Sequence, residues 1–343
     1  MSLSVDIEKK LGAFQLKIKF DVDNETLALF GASGCGKSVT LRCIAGIVKP
    51  DRGRIVLNDK VLFDSEKHIN LSPQKRNVGY LFQQYALFPN MTVEQNIACG
   101  NHRNKSRERV SEMIKTMHLD GLEKKHPSQL SGGQQQRTAL ARILISEPDI
   151  LMLDEPFSAL DTHLRYQMEH EVRSVIKRFG KSVLLVSHDS AEVYRLSDRI
   201  AVINDGVIES LGTREEIYLN PGTVNGAILT GYRNVSGIEV LDENKIYAGD
   251  WGAELSTAGI TDGAKHAAFR TESVRLGGED NTIECIVEAI IPNAFANAYR
   301  VIPKNGNPEA GFVLDVKEDH PEITAGSEIL VSVPKEEIVL LRD

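Results

Sequence analysis

The sequence predicts an α/β domain interrupted by a helical insertion and followed by an all-β domain. Three observations carry this reading. Apolar strand-like runs at "LALF", "VGYLF", "ILMLDEP" and "SVLLVSHD" alternate with helical periodicity, the pattern of a mostly parallel sheet. From Tyr85 to about Ser146 the pattern is helical. From about Thr230 only short strands and turns remain, the texture of a small barrel or sandwich. At 343 residues the chain is longer than one core usually organises. The expected domains are 1–229, with the helical part at about 86–145, and 230–343.

In chain order, "FQLKIKFDV" alternates as a half-buried strand, and "LALF" runs straight into a glycine loop. "SVTLRCIAGI" reads as a helix with Val39, Ile44 and Ile47 apolar, ended by Pro50 and Gly53. "RIVLNDKVLF" reads as a hairpin turning at Asn58-Asp59. Thr92 and Gln95 form a capping-box pattern. Val110, Met113, Ile114 and Met117 share one helical face and are read as core, while "NKSRER" is a solvated helix start. "THLRYQMEHEVRSVIKRF" is a helix burying Leu164, Met168, Val172, Val175 and Phe179. A second hairpin turns at Asn204-Asp205-Gly206, and Thr213 and Glu216 cap a last helix before Pro221.

Net charge is −8, which argues against nucleic acid as the main partner. Cys35, Cys43, Cys99 and Cys285 show neither zinc spacing nor a disulfide framework, and read as reduced thiols. No signal core and no run of about 18 apolar residues is present, so any work at a membrane requires another chain to hold this one there.

"GASGCGKS" fits G-x-x-x-x-G-K-[ST], with a strand before and a helix after. Gly31, Ala32, Ser33, Gly34, Cys35, Gly36, Lys37, Ser38 and Val39 are the expected nucleotide contacts. The loop's N–H groups and the helix N-terminus suit phosphate. Lys37 is expected at the β- and γ-phosphates and Ser38 at Mg²⁺. Asp154, ending "ILMLD", is expected to hold Mg²⁺ through water, and Glu155 to activate the attacking water. No Asn-Lys-x-Asp guanine reader exists: "NKSR" and "NKIY" lack the aspartate.

A second glycine pair opens a helix at "LSGGQQQR", Leu130 to Arg137. Ser131, Gly132, Gly133 and Gln134 offer another set of free N–H groups, far along the chain. The economical geometry is two copies facing head to tail, each closing the other's ATP.

These motifs resemble the ATP-binding subunit of an ABC transporter, and the resemblance covers the whole chain. It implies a P-loop NTPase ABC cassette with a RecA-like core and helical subdomain, and an OB/TOBE-like regulatory β-domain. It implies that Gln83 in "YLFQQYALFP" senses Mg²⁺ and the γ-phosphate, and that His188 in "LLVSHD" steadies the water. Asp161 in "SALD" would relay across the dimer, and Tyr85 to Pro89 would lie near the groove taking a helix of a transmembrane subunit. Members often stack adenine on an aromatic ahead of the P-loop. Phe14 is the only nearby aromatic, its spacing does not match cleanly, and adenine recognition stays open.

"AAFRTESVRL" resembles the "RPE-x-V-x-L" turn of importer ATPases, with Thr271 in place of proline. "LSPQKR-x-VGY", "GYRNVSG" and "YAGDWGAEL" resemble molybdate-type subunits. The implied function is ATP hydrolysis powering molybdate or tungstate import at the cytoplasmic face of the membrane. The implied partners are permease subunits, a second copy, indirectly a substrate-binding protein, and an oxyanion at the β-domain. Sulfate, iron or polyamine import is the alternative. A non-membrane ABC ATPase fits worse, because the chain has one cassette, a short insertion and an acidic balance. A pure oxyanion-binding module is the third reading.

Overall fold

Strands Thr26–Phe30, Ile150–Asp154 and Val183–Ser187 are buried at every position, which is why they read as unbroken apolar runs. In the computed structural model they form a parallel set in the order Val78–Leu81, Ile150–Asp154, Val183–Ser187, Thr26–Phe30, Arg199–Asn204. The structure describes residues 2–101, 106–158, 160, 162–292, 297–316 and 320–343.

The sheet continues through Val207–Thr213, Phe14–Asp23, Ser2–Leu11, Arg52–Leu57, Lys60–Asp64 and Ile69–Asn70, making eleven strands. Ser2–Leu11 is a strand beyond those expected, with Leu3, Val5 and Ile7 alternating with Ser4 and Asp6, and pairs antiparallel with Phe14–Asp23 along its whole length. Both alternate buried and exposed, as sheet faces with one side in the core do. The two hairpins turn at the expected residues: Asn58 and Asp59 take φ 48° and 64°, and Asp205 and Gly206 take 43° and 81°. Positive φ at both central residues matches the twist of the flanking strands.

Helix Lys37–Ala45 buries Leu41 and Ile44. It stops short of Ile47, because Gly46 takes φ 79°, and Ile47 is 49% exposed rather than packed. The helical segment comprises Val93–Gly100, Arg107–Thr116 and Gly132–Leu144. Thr92 and Gln95 form the expected capping box. Val110, Ile114 and Met117 are buried, and Met113 is half-buried. Ser106 caps Arg107–Thr116, while Asn104 and Lys105 of the charged start lie outside the described residues. Helix Thr162–Phe179 buries Met168 and Val172, with Val175 and Phe179 half-buried; the side chain of Leu164 lies outside the described residues. Among the described residues no helix is long and apolar enough to cross a membrane.

The chain divides into two compact units, Met1–Arg214 and Glu215–Asp343. The boundary thus lies before 229/230, because residues 215–229 pack with the β-domain. Tyr232 donates to the carbonyl of Tyr218 at 3.2 Å, and Arg270 donates to those of Tyr218 (2.9 Å) and Thr230 (2.7 Å). A short helix with no clear sequence signal, Val224–Leu229, is capped by Thr223. The rest is all-β: two five-stranded sheets closing on one core. Trp251, Phe269 and Phe312 pack together there in tilted and edge-on contacts.

Candidate active site

The parallel strands all point their carboxyl ends the same way, and the expected site residues follow those ends. The glycine loop follows Phe30, Gln83 follows Leu81, Asp154 and Glu155 close Ile150–Asp154, and His188 follows Ser187. Ligands bind at this edge of an open α/β sheet because the loops and helix N-termini collect there.

In the loop, Gly34 and Gly36 take φ 85° and 112°. A Cβ at Gly36 would also stand 2.6 Å from Leu16 and 3.1 Å from the Phe14 ring, so glycine is required there twice over. Phe14 therefore lies against the P-loop, half-buried, although sequence spacing alone does not bring it there. Lys37 is buried and donates to the carbonyls of Gly31 (2.6 Å) and Ala32 (2.7 Å), which folds its ammonium back over the loop. Ser38 Oγ donates to Asp154 Oδ1 at 2.7 Å, joining loop and carboxylate across 116 residues.

Glu155 sits one step beyond the strand with φ 46°, and its N–H donates to the carbonyl of Val186 at 2.9 Å. This left-handed turn aims the carboxylate at two partners. Gln83 Nε2 donates to one oxygen at 3.1 Å, and His188 Nδ1 stands 3.5 Å from the other. The Glu155 side chain is 18% exposed and that of His188 55%, so the group opens to solvent on one side.

The loop after Gln83 is tied down from the helical segment. Buried Asn96 pairs with both backbone groups of Phe88, and Arg142 donates to the carbonyl of Tyr85 at 3.1 Å. Tyr85 OH, its pKa pushed up to about 12 by burial, reaches the carbonyl of Pro156 at 3.4 Å. Phe88 is left 46% exposed.

At the second grip, Ser131 and Gln134 form a reciprocal capping box: Ser131 Oγ accepts from the Gln134 N–H, and Gln134 Oε1 from the Ser131 N–H. The N–H groups of Gly132 and Gly133 remain as the orphan donors of the first turn. Neither capping bond reaches the Gly31–Ser38 loop. Asp161 lies outside the described residues.

Three residues of this neighbourhood carry no motif that marks them. Tyr80 OH donates to Asp154 Oδ2 at 2.7 Å; burial, then the Asp154 contact, push its phenol far above the ordinary range. Arg76 is fully buried and donates to the carbonyls of Cys43, Ile44 and Leu71 and to Asn70 Oδ1. Glu192 is buried and accepts from Ser187 Oγ at 2.7 Å. The one available signal is a polar residue inside an otherwise apolar run, as at Tyr80 in "VGYLF".

The donor set fits Mg²⁺. Ser38 and Asp154 are hard oxygen donors, and among the described residues no group of three or more His, Cys, Asp or Glu forms a cage. A few protein oxygens completed by waters and phosphate is how Mg²⁺ is usually held.

Fold and site together define a P-loop nucleotide-binding protein with a second, separate glycine-led helix N-terminus. The ABC transporter family model matches residues 16–158. A sulfate/thiosulfate import ATP-binding protein of Mesorhizobium japonicum is 37% identical over 309 residues, 87% of this chain and 86% of that protein. The chain belongs to the ABC transporter family. A spermidine/putrescine import ATP-binding protein of Acetivibrio thermocellus is 45% identical over 62% of this chain, a match spanning only 60% of its own length. A molybdenum import ATP-binding protein of Rhodospirillum rubrum is 39% identical over 64% of this chain and 60% of its own. Among solved structures, the dimeric post-hydrolysis form of the ATP-binding cassette MJ0796 bound to ADP and Pi is 27% identical. It covers 62% of this chain and 99% of its own, with TM-score 0.53.

Proposed function

We propose that this chain hydrolyses ATP to power a membrane importer, as a head-to-tail dimer docked on permease subunits at the cytoplasmic face. The observation that carries this is the convergence of Lys37, Ser38, Gln83, Asp154, Glu155 and His188 at one sheet edge, while the Ser131 helix N-terminus makes no bond to that loop. The MJ0796 cassette, dimeric with ADP and Pi, supports the sandwich.

Loop N–H groups receive the phosphates, and Lys37 exchanges its two carbonyl contacts for phosphate oxygens. Ser38 and, through water, Asp154 would hold Mg²⁺, which would supply charge neutralisation at the phosphates. Glu155 takes the proton of the attacking water, and its orientation comes from Gln83 and His188. Gly132 and Gly133 of the second copy complete the phosphate shell. Hydrolysis is then conditional on closure. Exposed Phe88 and the tied loop around it form the docking edge for the permease.

The cargo is read as a tetrahedral oxyanion delivered by a substrate-binding protein, with the second unit as its TOBE-like sensor. Molybdate or tungstate comes first, on the wording of the tail and on the molybdenum relative. Sulfate is the second reading, because the sulfate relative aligns through most of the second unit as well.

Glu155→Gln tests the chemistry. Turnover is expected to fall about 10²–10⁴-fold, the usual worth of a positioned base, while ATP still binds. Unchanged turnover in a folded variant removes Glu155 from the mechanism.

A further inference from the structure

Asp154 receives two hydrogen bonds from different parts of the chain. Ser38 Oγ donates to Oδ1 and Tyr80 OH to Oδ2, each at 2.7 Å. Tyr80 lies on strand Val78–Leu81, in register with Met152, two residues before Asp154 on the neighbouring strand. Its ring is 9% exposed, sits in the core cluster with Leu41 and Met152, and leans on Phe82 at 4.4 Å. The ring cannot swing, so the hydroxyl has one direction.

A carboxylate offers about four lone-pair sites. Ser38 and Tyr80 occupy one on each oxygen and leave about two, one per oxygen, for metal-bound water. With Ser38 alone, a single bond to one oxygen would leave the carboxylate free to rotate about Cβ–Cγ. Ser38 is also the hydroxyl needed at the metal itself.

We propose that Tyr80 is a positioning residue for the metal: its hydroxyl fixes the plane of the Asp154 carboxylate so that the free lone pairs face the Ser38 side. This rests on the reading of Asp154 as the metal-side carboxylate. Partners that orient a metal-holding group typically contribute 10–100-fold to metal affinity. The same strand leads to Gln83, so the tyrosine also keeps that loop in register with the metal site.

The test is Mn²⁺ binding to the full chain saturated with ADP, read by the loss of free-Mn²⁺ electron-spin signal. Tyr80→Phe is expected to weaken Mn²⁺ binding about 10-fold or more. ADP affinity without metal is expected to stay within about twofold, since the Tyr80 hydroxyl bonds Asp154 and approaches Arg42 of the following helix rather than the loop residues Gly31–Ser38. Asp154→Asn is measured alone and with Tyr80→Phe; the tyrosine's effect should disappear in the asparagine background. If Tyr80→Phe weakens Mn²⁺ binding equally in both backgrounds, or weakens metal-free ADP as much, the tyrosine acts on the fold at large and the proposal is overturned. If Asp154→Asn weakens Mn²⁺ but Tyr80→Phe does not, the tyrosine's role fails and the metal reading stands. If Asp154→Asn leaves Mn²⁺ unchanged, the metal reading itself fails.

Discussion

Glu192 is a buried carboxyl that accepts from Ser187, the residue before the site histidine. Desolvation raises its pKa above the usual 4.5, and nearby Asp189 and Glu169 add to this against the Ser187 hydrogen bond and Arg165. Ionising it therefore costs more in the folded chain than in the unfolded one. Its contribution to stability is full below pH 4.5 and is lost as pH rises through the raised folded value. Glu192→Gln, which can still accept from Ser187, is expected to flatten that fall. Unfolding midpoints measured from pH 4.5 to 8 would check it, and a parallel slope in the variant would assign the dependence elsewhere. Thr271 shows another residue-level substitution: where the related turn has proline, its hydroxyl donates to Asp315 at 2.6 Å. Glu155, Asp154, Lys37 and His188 were legible because motif and strand end coincide. Tyr80, Arg76 and Glu192 were not, because their roles are set by partners 33 to 74 residues away for Tyr80 and the Arg76–Cys43 pair, and by burial for Glu192.

At the scale of elements, the P-loop helix is held at both ends. Its N-terminus faces the nucleotide edge, and the last carbonyls of Lys37–Ala45 are bonded by Arg76 from the short helix Pro73–Arg76. Gly46 leaves room for that guanidinium: a Cβ there would stand 2.5 Å from Arg76 Nε. Carbonyls and one amide oxygen, rather than a carboxylate, solvate the buried charge. Arg76→Met would fill the space but leave the Ile44 and Leu71 carbonyls unpaired and Cys43 with only the Gly46 N–H, at about 1–3 kcal/mol for each carbonyl that stays dry. Hydrogen exchange across residues 37–45 should accelerate, and wild-type protection there would show that water replaces the arginine at little cost. The signature helix allows a sharper separation. Ser131→Ala removes only the cap, about 1 kcal/mol. If the serine serves the other copy's site as proposed, Ser131→Arg should abolish turnover and spare ATP binding; lost ATP binding would mean that the grip acts in cis. The helices and hairpins were readable because caps and turn residues are local. The strand Ser2–Leu11 was not among the expected ones: its apolar alternation, Leu3, Val5 and Ile7, ends at the charged Glu8–Lys10, and pairing with Phe14–Asp23 extends it to ten residues.

For the whole molecule, the order of the layers was visible in the shift of texture near Thr230, but the division at 214/215 was not. It depends on Arg270 and Tyr232 reaching back to Tyr218, contacts that no local pattern announces. The second unit also carries the chain's one tryptophan, Trp251, 1% exposed between Phe269 and Phe312. Its emission therefore reports the core of the unit proposed to sense cargo. A ligand at about 100 times its Kd adds about 2.7 kcal/mol to the state that binds it. If the second unit binds the imported oxyanion, the transition followed by Trp251 in the full chain should shift upward with that anion and not with the others. A shift with molybdate and tungstate alone would favour the first cargo reading. A shift with sulfate alone would favour the second. No shift with molybdate, tungstate, sulfate or phosphate would take the sensing role from this unit, while the proposed ATPase site, built only from residues of the first unit, would stand unchanged.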